Sequence, residues 1–183
     1  MKVAVIDNTT LRNLYTLDLL QHLSLLYHTV WVPREVEREF LGLRDLTEQS
    51  IRFQYIMQFY ETHSGWFKPC HAYNNEDIAL FKAALAPKEQ KLHSGEIEAI
   101  VQRNLLPGSQ IELLVDDAAA RTFLRAKDVA HHGTLYALAQ LHIRWGLCDY
   151  WDVVNQLRNK KQHYSLDIRS EERRVGKECR SRW

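Results

Sequence analysis

Two short apolar runs that each stop at an acid constrain this chain more than any other feature. Lys2–Ile6 (KVAVI) is rich in Val and Ile and ends at Asp7; Leu113–Val115 (LLV) ends at Asp116–Asp117. Runs of this kind fit strands buried on both faces, as inside a parallel sheet. Strands of one parallel sheet share a carboxyl edge, and open α/β sheets place their ligands at that edge. Acids more than a hundred residues apart can therefore meet. The plainer reading of each acid is local: Asp7 or Asn8 caps the helix that follows, and Asp117 caps the next one. Both readings are open on these residues alone.

The rest of the chain alternates in a way that supports a sheet with helical crossovers. Leu11, Leu14, Leu17, Leu20 and Leu23 recur at helical spacing and predict a helix over Thr9–Leu26. Tyr27–Val32 reads as a second strand, and Pro33 opens a helix at its first turn, with Gly42 as its stop. A helical pattern follows over Leu43–Gln58, then an irregular segment to Tyr73 with a possible short strand around Gly65–Phe67. Asn74 and Asn75 cap a helix over Glu76–Leu85. The stretch of about 43–90 carries no chemical signature and reads as a helical insertion over the sheet. Ser94 caps a helix within Leu92–Arg103; further helices are predicted over Ala118–Arg125, after Gly133–Thr134 up to Gly146, and from Asp149 to about Lys160. Val129 begins a short strand reaching His131–His132. Strands alternating with helices argue for α/β architecture with a mainly parallel sheet.

At 183 residues, the chain is sized for one well-cored domain. No apolar run is long enough to span a bilayer, and Asp7, Asn8 and Arg12 interrupt any signal-peptide pattern. Cys70, Cys148 and Cys179 form no metal-spaced pair, which suits a reducing cytoplasm. The last fifteen residues, Arg169–Trp183, have few core formers and no period, and they resemble a translated sequencing adapter. They are set aside as a non-native tail, leaving a single domain over 1–168. Removing the tail's six Lys/Arg and three Glu from totals of 24 and 23 leaves 18 basic and 20 acidic residues, a formal net charge of −2. Overall charge therefore gives no reason to expect nucleic-acid binding; a local basic patch would have to supply it.

Further acids stand where they could join the strand-end pair: Glu39 on the second helix, and Glu96 with Glu98 on the helix after Ser94. Several carboxylates around one point repel unless a cation neutralises them. Oxygen-only ligation suits Mg²⁺ or Mn²⁺ rather than zinc. Such ions hold a phosphodiester, lower the pKa of an attacking water and stabilise a leaving oxygen. Glu35, Glu37 and Glu98 read more simply as solvated faces or local ion pairs, and only the arrangement on two separate strands lifts the set above that reading.

Four blocks, in order, resemble the PIN-domain nucleases, and particularly the small prokaryotic toxin branch. VIDNTTL resembles that family's opening strand, VPREVEREF its Pro-x-x-Val-x-x-Glu helix, LHSGEIEAI its Gly-acid helix, and LLVDDAAARTFL its last acidic strand; GTLYAL resembles a downstream segment. The resemblance runs over roughly Met1–Leu147. It implies a three-layer α/β/α sandwich and Mg²⁺- or Mn²⁺-dependent cleavage of RNA, with Asp7, Glu39, Glu96 and Asp116 holding the metal. Thr9 would orient Asp7 or a water, Asp117 would stand beside the site, and Arg121 would contact phosphate or pair with an acid. It further implies a cytoplasmic toxin with a cognate antitoxin, homodimers being common among similar proteins, and no membrane association. Glu96 stands where many members carry Asp.

The other conspicuous residues read as structure. His131–His132 fit surface positions better than a general base, and Cys70–His71 is too sparse for zinc. Trp31, Trp145 and Trp151 read as core or interface, and Trp66–Phe67 as packing rather than base stacking. Two other functions compete: a catalytically inactive protein- or RNA-binding module on the same fold, and a structure-specific DNA nuclease.

Overall fold

A computed structural model describes residues 2–42, 46–70, 73–89, 91–108 and 111–159. The set-aside terminal stretch, Cys179, His71 and the first residues of the helix predicted from Leu43 lie outside them. Five parallel strands form one sheet in the order β3-β2-β1-β4-β5: β1 Val3–Ile6, β2 Thr29–Pro33, β3 Phe67–Cys70, β4 Ile111–Leu114 and β5 His131–His132. Among the described residues, eight α-helices join or follow them: α1 Asn8–Thr16, α2 Arg34–Leu41, α3 Leu46–His63, α4 Asn75–Ala84, α5 Ser94–Leu105, α6 Ala118–Ala126, α7 Thr134–Trp145 and α8 Tyr150–Asn159. Helices cover both faces, which gives the three-layer α/β/α sandwich.

Alternation along the strands divides the core. Ala4, Ile6, Val30, Val32 and Leu114 pack on one face with α1, α7 and α8; Val5, Ile111, Leu113 and Val115 pack on the other with α5 and α6. Burial on both faces is what the apolar strand runs require. β1 is central, and the chain leaves it first toward β2 and β3, then returns to lay β4 on its other side. That reversal opens a crevice at the carboxyl ends of β1 and β4. Register pairs Ile6 with Leu114, and the Asp7 amide donates to Leu114 O at 2.9 Å, so the two strand-end acids leave the sheet together.

Several boundaries differ from the sequence-based expectations. The leucine-rich helix stops at Thr16, because Asp18 takes a left-handed conformation (φ 56°) that aspartate tolerates; the remaining leucines continue as a 3₁₀ segment, Leu20–Leu25. Pro33 ends β2 and stands just before the first turn of α2. The stretch expected as a helical insertion supplies the edge strand β3, reached by an α3 that runs on to His63. Pro69 lies within β3, a position an edge strand permits. Trp145 and Trp151, 52% and 55% exposed, are outside the core.

An aromatic cluster fastens β3. The fully buried Phe67 ring sits 4.9 Å from Phe59, 5.4 Å from Tyr60 and 5.5 Å from Trp66, which is the packing role expected of Trp66–Phe67. Phe67→Ala should cost about 3–5 kcal/mol in urea unfolding; a loss below about 1 kcal/mol, within the range of ordinary surface changes, would mean the cluster does not anchor the strand.

Candidate functional site

Asp7 and Asp116 meet at the carboxyl edge of the two central strands, 2% and 3% exposed. Asp7 also caps α1, so the local and the functional readings of this residue are both satisfied: Oδ1 accepts from the Thr10 amide at 2.7 Å. Its other oxygen, Oδ2, accepts from the Asp116 amide at 3.2 Å. Asp116 is held by α7 and α1. Oδ1 accepts from the Thr134 amide at 2.9 Å, and Oδ2 accepts from Asn13 Nδ2 at 3.0 Å and from the Thr134 hydroxyl. Asn13 Nδ2 lies also 3.2 Å from Thr134 Oγ1. Burial, and then the neighbouring Asp116 charge, raise the Asp7 carboxyl far above its ordinary range; burial likewise raises Asp116, against hydrogen bonds from Thr134 and the positive charge of Arg121.

Glu39 and Glu96 form a second pair beside the first. Glu39 sits in the last turn and a half of α2, where Oε1 accepts from the Gly95 amide at 3.2 Å and the Asn8 side chain also donates. Glycine leaves room for this placement, since a Cβ at residue 95 would lie 2.9 Å from Glu39 Oε2 and the carboxylate would have to shift. Glu96 closes a capping box by accepting from the His93 amide at 2.8 Å; His93, one residue before the expected Ser94, is therefore the cap residue of α5. Burial raises Glu39, and raises Glu96 to about 7, with the charges of Asp117 and Glu39 adding to it. The residues close a circuit. Asp7 faces Asp116, Asn8 next to Asp7 donates to Glu39, Glu39 acts on Glu96, and Glu96 feels Asp117 next to Asp116.

The remaining candidates separate into those at the circuit and those elsewhere. Asp117 caps α6, accepting from the Ala120 amide at 2.8 Å. Arg121 is buried and its charge acts on Asp116, which fits the ion-pair reading; Gly133 makes room for both, since a Cβ there would lie 2.9 Å from Arg121 Nη1 and closer still to Asp116 Oδ1. The expectation for Thr9 is that it orients Asp7 or a water; its neighbour Thr10 bonds both strand-end acids, through its amide to Asp7 and through a hydroxyl 3.4 Å from Asp116 Oδ2. Glu98 is neither a solvated face nor a partner of the circuit; it is 9% exposed and bonds the start of α2. The His132 ring stacks on Tyr136 at 3.7 Å and stands 3.8 Å from Glu112, consistent with structure rather than base chemistry. Asn8, Asn13 and Thr134 were not singled out as site residues. Their amide and hydroxyl side chains carry no spacing signature, although Thr134 lies in the GTLYAL block.

The donor set fits a hard divalent cation. All four acids offer oxygen, and the Asp7–Asp116 repulsion is the kind that a cation relieves. Asn8 Oδ1 is buried with no hydrogen-bond partner, a neutral oxygen available beside Glu39. As the side chains lie, no three acids among the described residues form an ion cage, so the fit is that of two adjoining pairs.

A protein-family model described as a PIN domain matches residues 3–177. No curated protein gives a significant match to the chain.

Two outcomes test the geometry. Without divalent ions, the folded chain keeps protons on Asp7 and Glu96 that the unfolded chain releases. Their contribution to stability is therefore complete below the ordinary carboxylate range and is lost as pH rises, for Glu96 between about 4.5 and about 7. Thermal unfolding in chelator across that window should show the decline, and Asp7→Asn should flatten it; an unchanged profile would mean that Asp7 is not protonated in the fold. Gly95→Ala should displace Glu39 and weaken Mn²⁺ binding, read by calorimetry, by about tenfold; unaltered binding would remove Glu39 from the ion's ligands.

Proposed function

Since the chain belongs to the PIN-domain family, a fold of nuclease type, we propose that it is a Mg²⁺- or Mn²⁺-dependent endoribonuclease, and that it acts in the cytoplasm as the toxin of a toxin–antitoxin pair. The observation that carries the proposal is the side-by-side placement of Asp7 and Asp116 at the carboxyl edge, joined through Asn8 and Asp117 to Glu39 and Glu96. In this reading Asp7, Glu39, Glu96 and Asp116 hold the ion. When bound, it would supply charge neutralisation for the phosphodiester and a more acidic attacking water.

The chain's own residues prepare the site. Thr134, Asn13 and Thr10 aim Asp116, while the Gly95 amide and Asn8 aim Glu39. Arg121 offsets part of the negative charge against which an RNA phosphate must approach. Asp7 and Glu96 give up their protons on loading, so ion affinity should rise with pH. Partners in this reading are RNA and an antitoxin protein, with a homodimer as the assembled form. No described helix is long and apolar enough to cross a membrane.

One observation favours a second reading, a catalytically inactive module that binds RNA or protein: the acids do not form a three-carboxylate cage as they lie. Substitution separates the two. Asp7→Asn and Asp116→Asn should each reduce Mn²⁺-dependent RNA cleavage at least a hundredfold, on the order of the loss when one transition-state donor is removed, and should relieve growth inhibition while circular dichroism stays native. Cleavage at the wild-type rate in both variants would exclude the assignment. Absence of cleavage in the wild type, with RNA or protein still bound, would establish the module.

A further inference from the structure

We propose that Glu98, acting with Tyr73, is a positioning residue: it caps α2 from the neighbouring helix and thereby fixes where Glu39 stands against Gly95. The inference rests on the reading of Glu39 as an ion ligand. It starts from an unmet need. α2 begins after Pro33, which has no side-chain acceptor for the first-turn amides. Those amides are met from outside the helix. The Arg34 amide donates to Tyr73 Oη at 2.8 Å, and the Glu35 amide donates to Glu98 Oε2 at 2.6 Å. The Tyr73 hydroxyl in turn donates to the same Glu98 oxygen. Both side chains are buried, Tyr73 at 5% and Glu98 at 9% exposed, so the bond between them is shielded from water and the two amide bonds are partly so. A carboxylate at a helix N-terminus is also favoured by the helix dipole.

The consequence lies one turn along. Glu98 and Gly95 both belong to α5, and they grip α2 at two points: Glu98 at the Glu35 amide, Gly95 at the Glu39 carboxylate. Residues 35 and 39 are four apart and share a helix face. Two points on one face fix both the rotation and the axial position of α2, whereas one point leaves a pivot. Because the Glu39 hydrogen bond to Gly95 is long for its type, at 3.2 Å, it is the grip more easily lost. A surface role for Glu98 would need neither its burial nor the Tyr73 relay. Glu96, two residues earlier on α5, belongs to the circuit, so this one helix carries an ion ligand, the Gly95 donor and the clamp.

The full chain carries the test, with Glu98→Ala, Glu98→Gln and Tyr73→Phe compared at a temperature well below each melting point. Val154→Ala, in α8 and in the core on the opposite face of the sheet from α5, serves as a control destabilised elsewhere. Two quantities are read: the Mn²⁺ dissociation constant from the electron paramagnetic resonance signal of free Mn²⁺, and the exchange rate of the Gly95 amide by NMR without metal. Glu98→Ala should weaken Mn²⁺ binding about tenfold or more and speed Gly95 exchange relative to the rest of α5. Tyr73→Phe should do the same to a smaller extent, Glu98→Gln should recover part of the loss through its remaining carbonyl oxygen, and Val154→Ala should change neither. If Glu98→Ala does not fold, Glu98→Gln and Tyr73→Phe decide the matter. Unchanged Mn²⁺ affinity and unchanged Gly95 exchange in folded variants would overturn the proposal. If the wild type binds no Mn²⁺, the functional reading fails, and Gly95 exchange alone still decides whether Glu98 positions Glu39.

Discussion

The repulsion between two carboxylates at the dry edge of the central strands is the interaction on which the rest depends. Asp7 and Asp116 cannot both be ionised there without help. The chain answers with donors: the Asp116 amide for Asp7, and Thr134, Asn13 and Thr10 for Asp116, with Arg121 nearby. Those donors come from α1, α6, α7 and the residue just beyond β4, so the pair adds polar ties between elements that already pack around the sheet. The remaining mismatch, two acids held away from their ordinary protonation, is one that a bound cation would relieve.

The second pair shows how packing and polarity cooperate. Glycine at 95 lets α5 approach α2 closely enough for its amide to reach Glu39, and glycine at 133 gives Asp116 and Arg121 room to stand together. In both places the useful property is the missing side chain. α2 is short, at eight residues, and propensity alone would not hold it in place. It relies on α5 at both ends of the face that carries Glu35 and Glu39.

Much of the architecture was legible in the sequence because burial writes a plain pattern. Strands buried on both faces read as apolar runs, β1 and most of β4 stood out, and the acids at their ends followed. Ile111 and Glu112 escaped because a charged residue interrupts the run, and Glu112 is buried only with partners: it accepts from Lys2 and Tyr27. β3 was blurred because FKPC mixes a lysine and a proline into four residues and draws its anchorage from α3. Asp7, Glu39, Glu96 and Asp116 could be picked out as carboxylates, and the structure brings them into one circuit. Asn8, Asn13 and Thr134 could not, since neutral donors are common in turns and at helix starts. Glu98 reads in the sequence as a solvated face or a local ion pair, and its bond to the Glu35 amide is not legible there, because a helical wheel shows which way a residue faces and not which amide waits opposite it.

The order in which these pieces leave the ribosome gives the topology another meaning. Asp7, Glu39, Glu96 and Asp116 are all synthesised before Thr134, yet Asp116 takes two hydrogen bonds from that residue at the head of α7. β4, which carries Asp116 to its place beside β1, is itself followed by β5 and α7 before its outer side is covered. A nascent chain therefore holds every acid for some time without the framework that aligns them. The site matures only once the start of α7 has been made and docked.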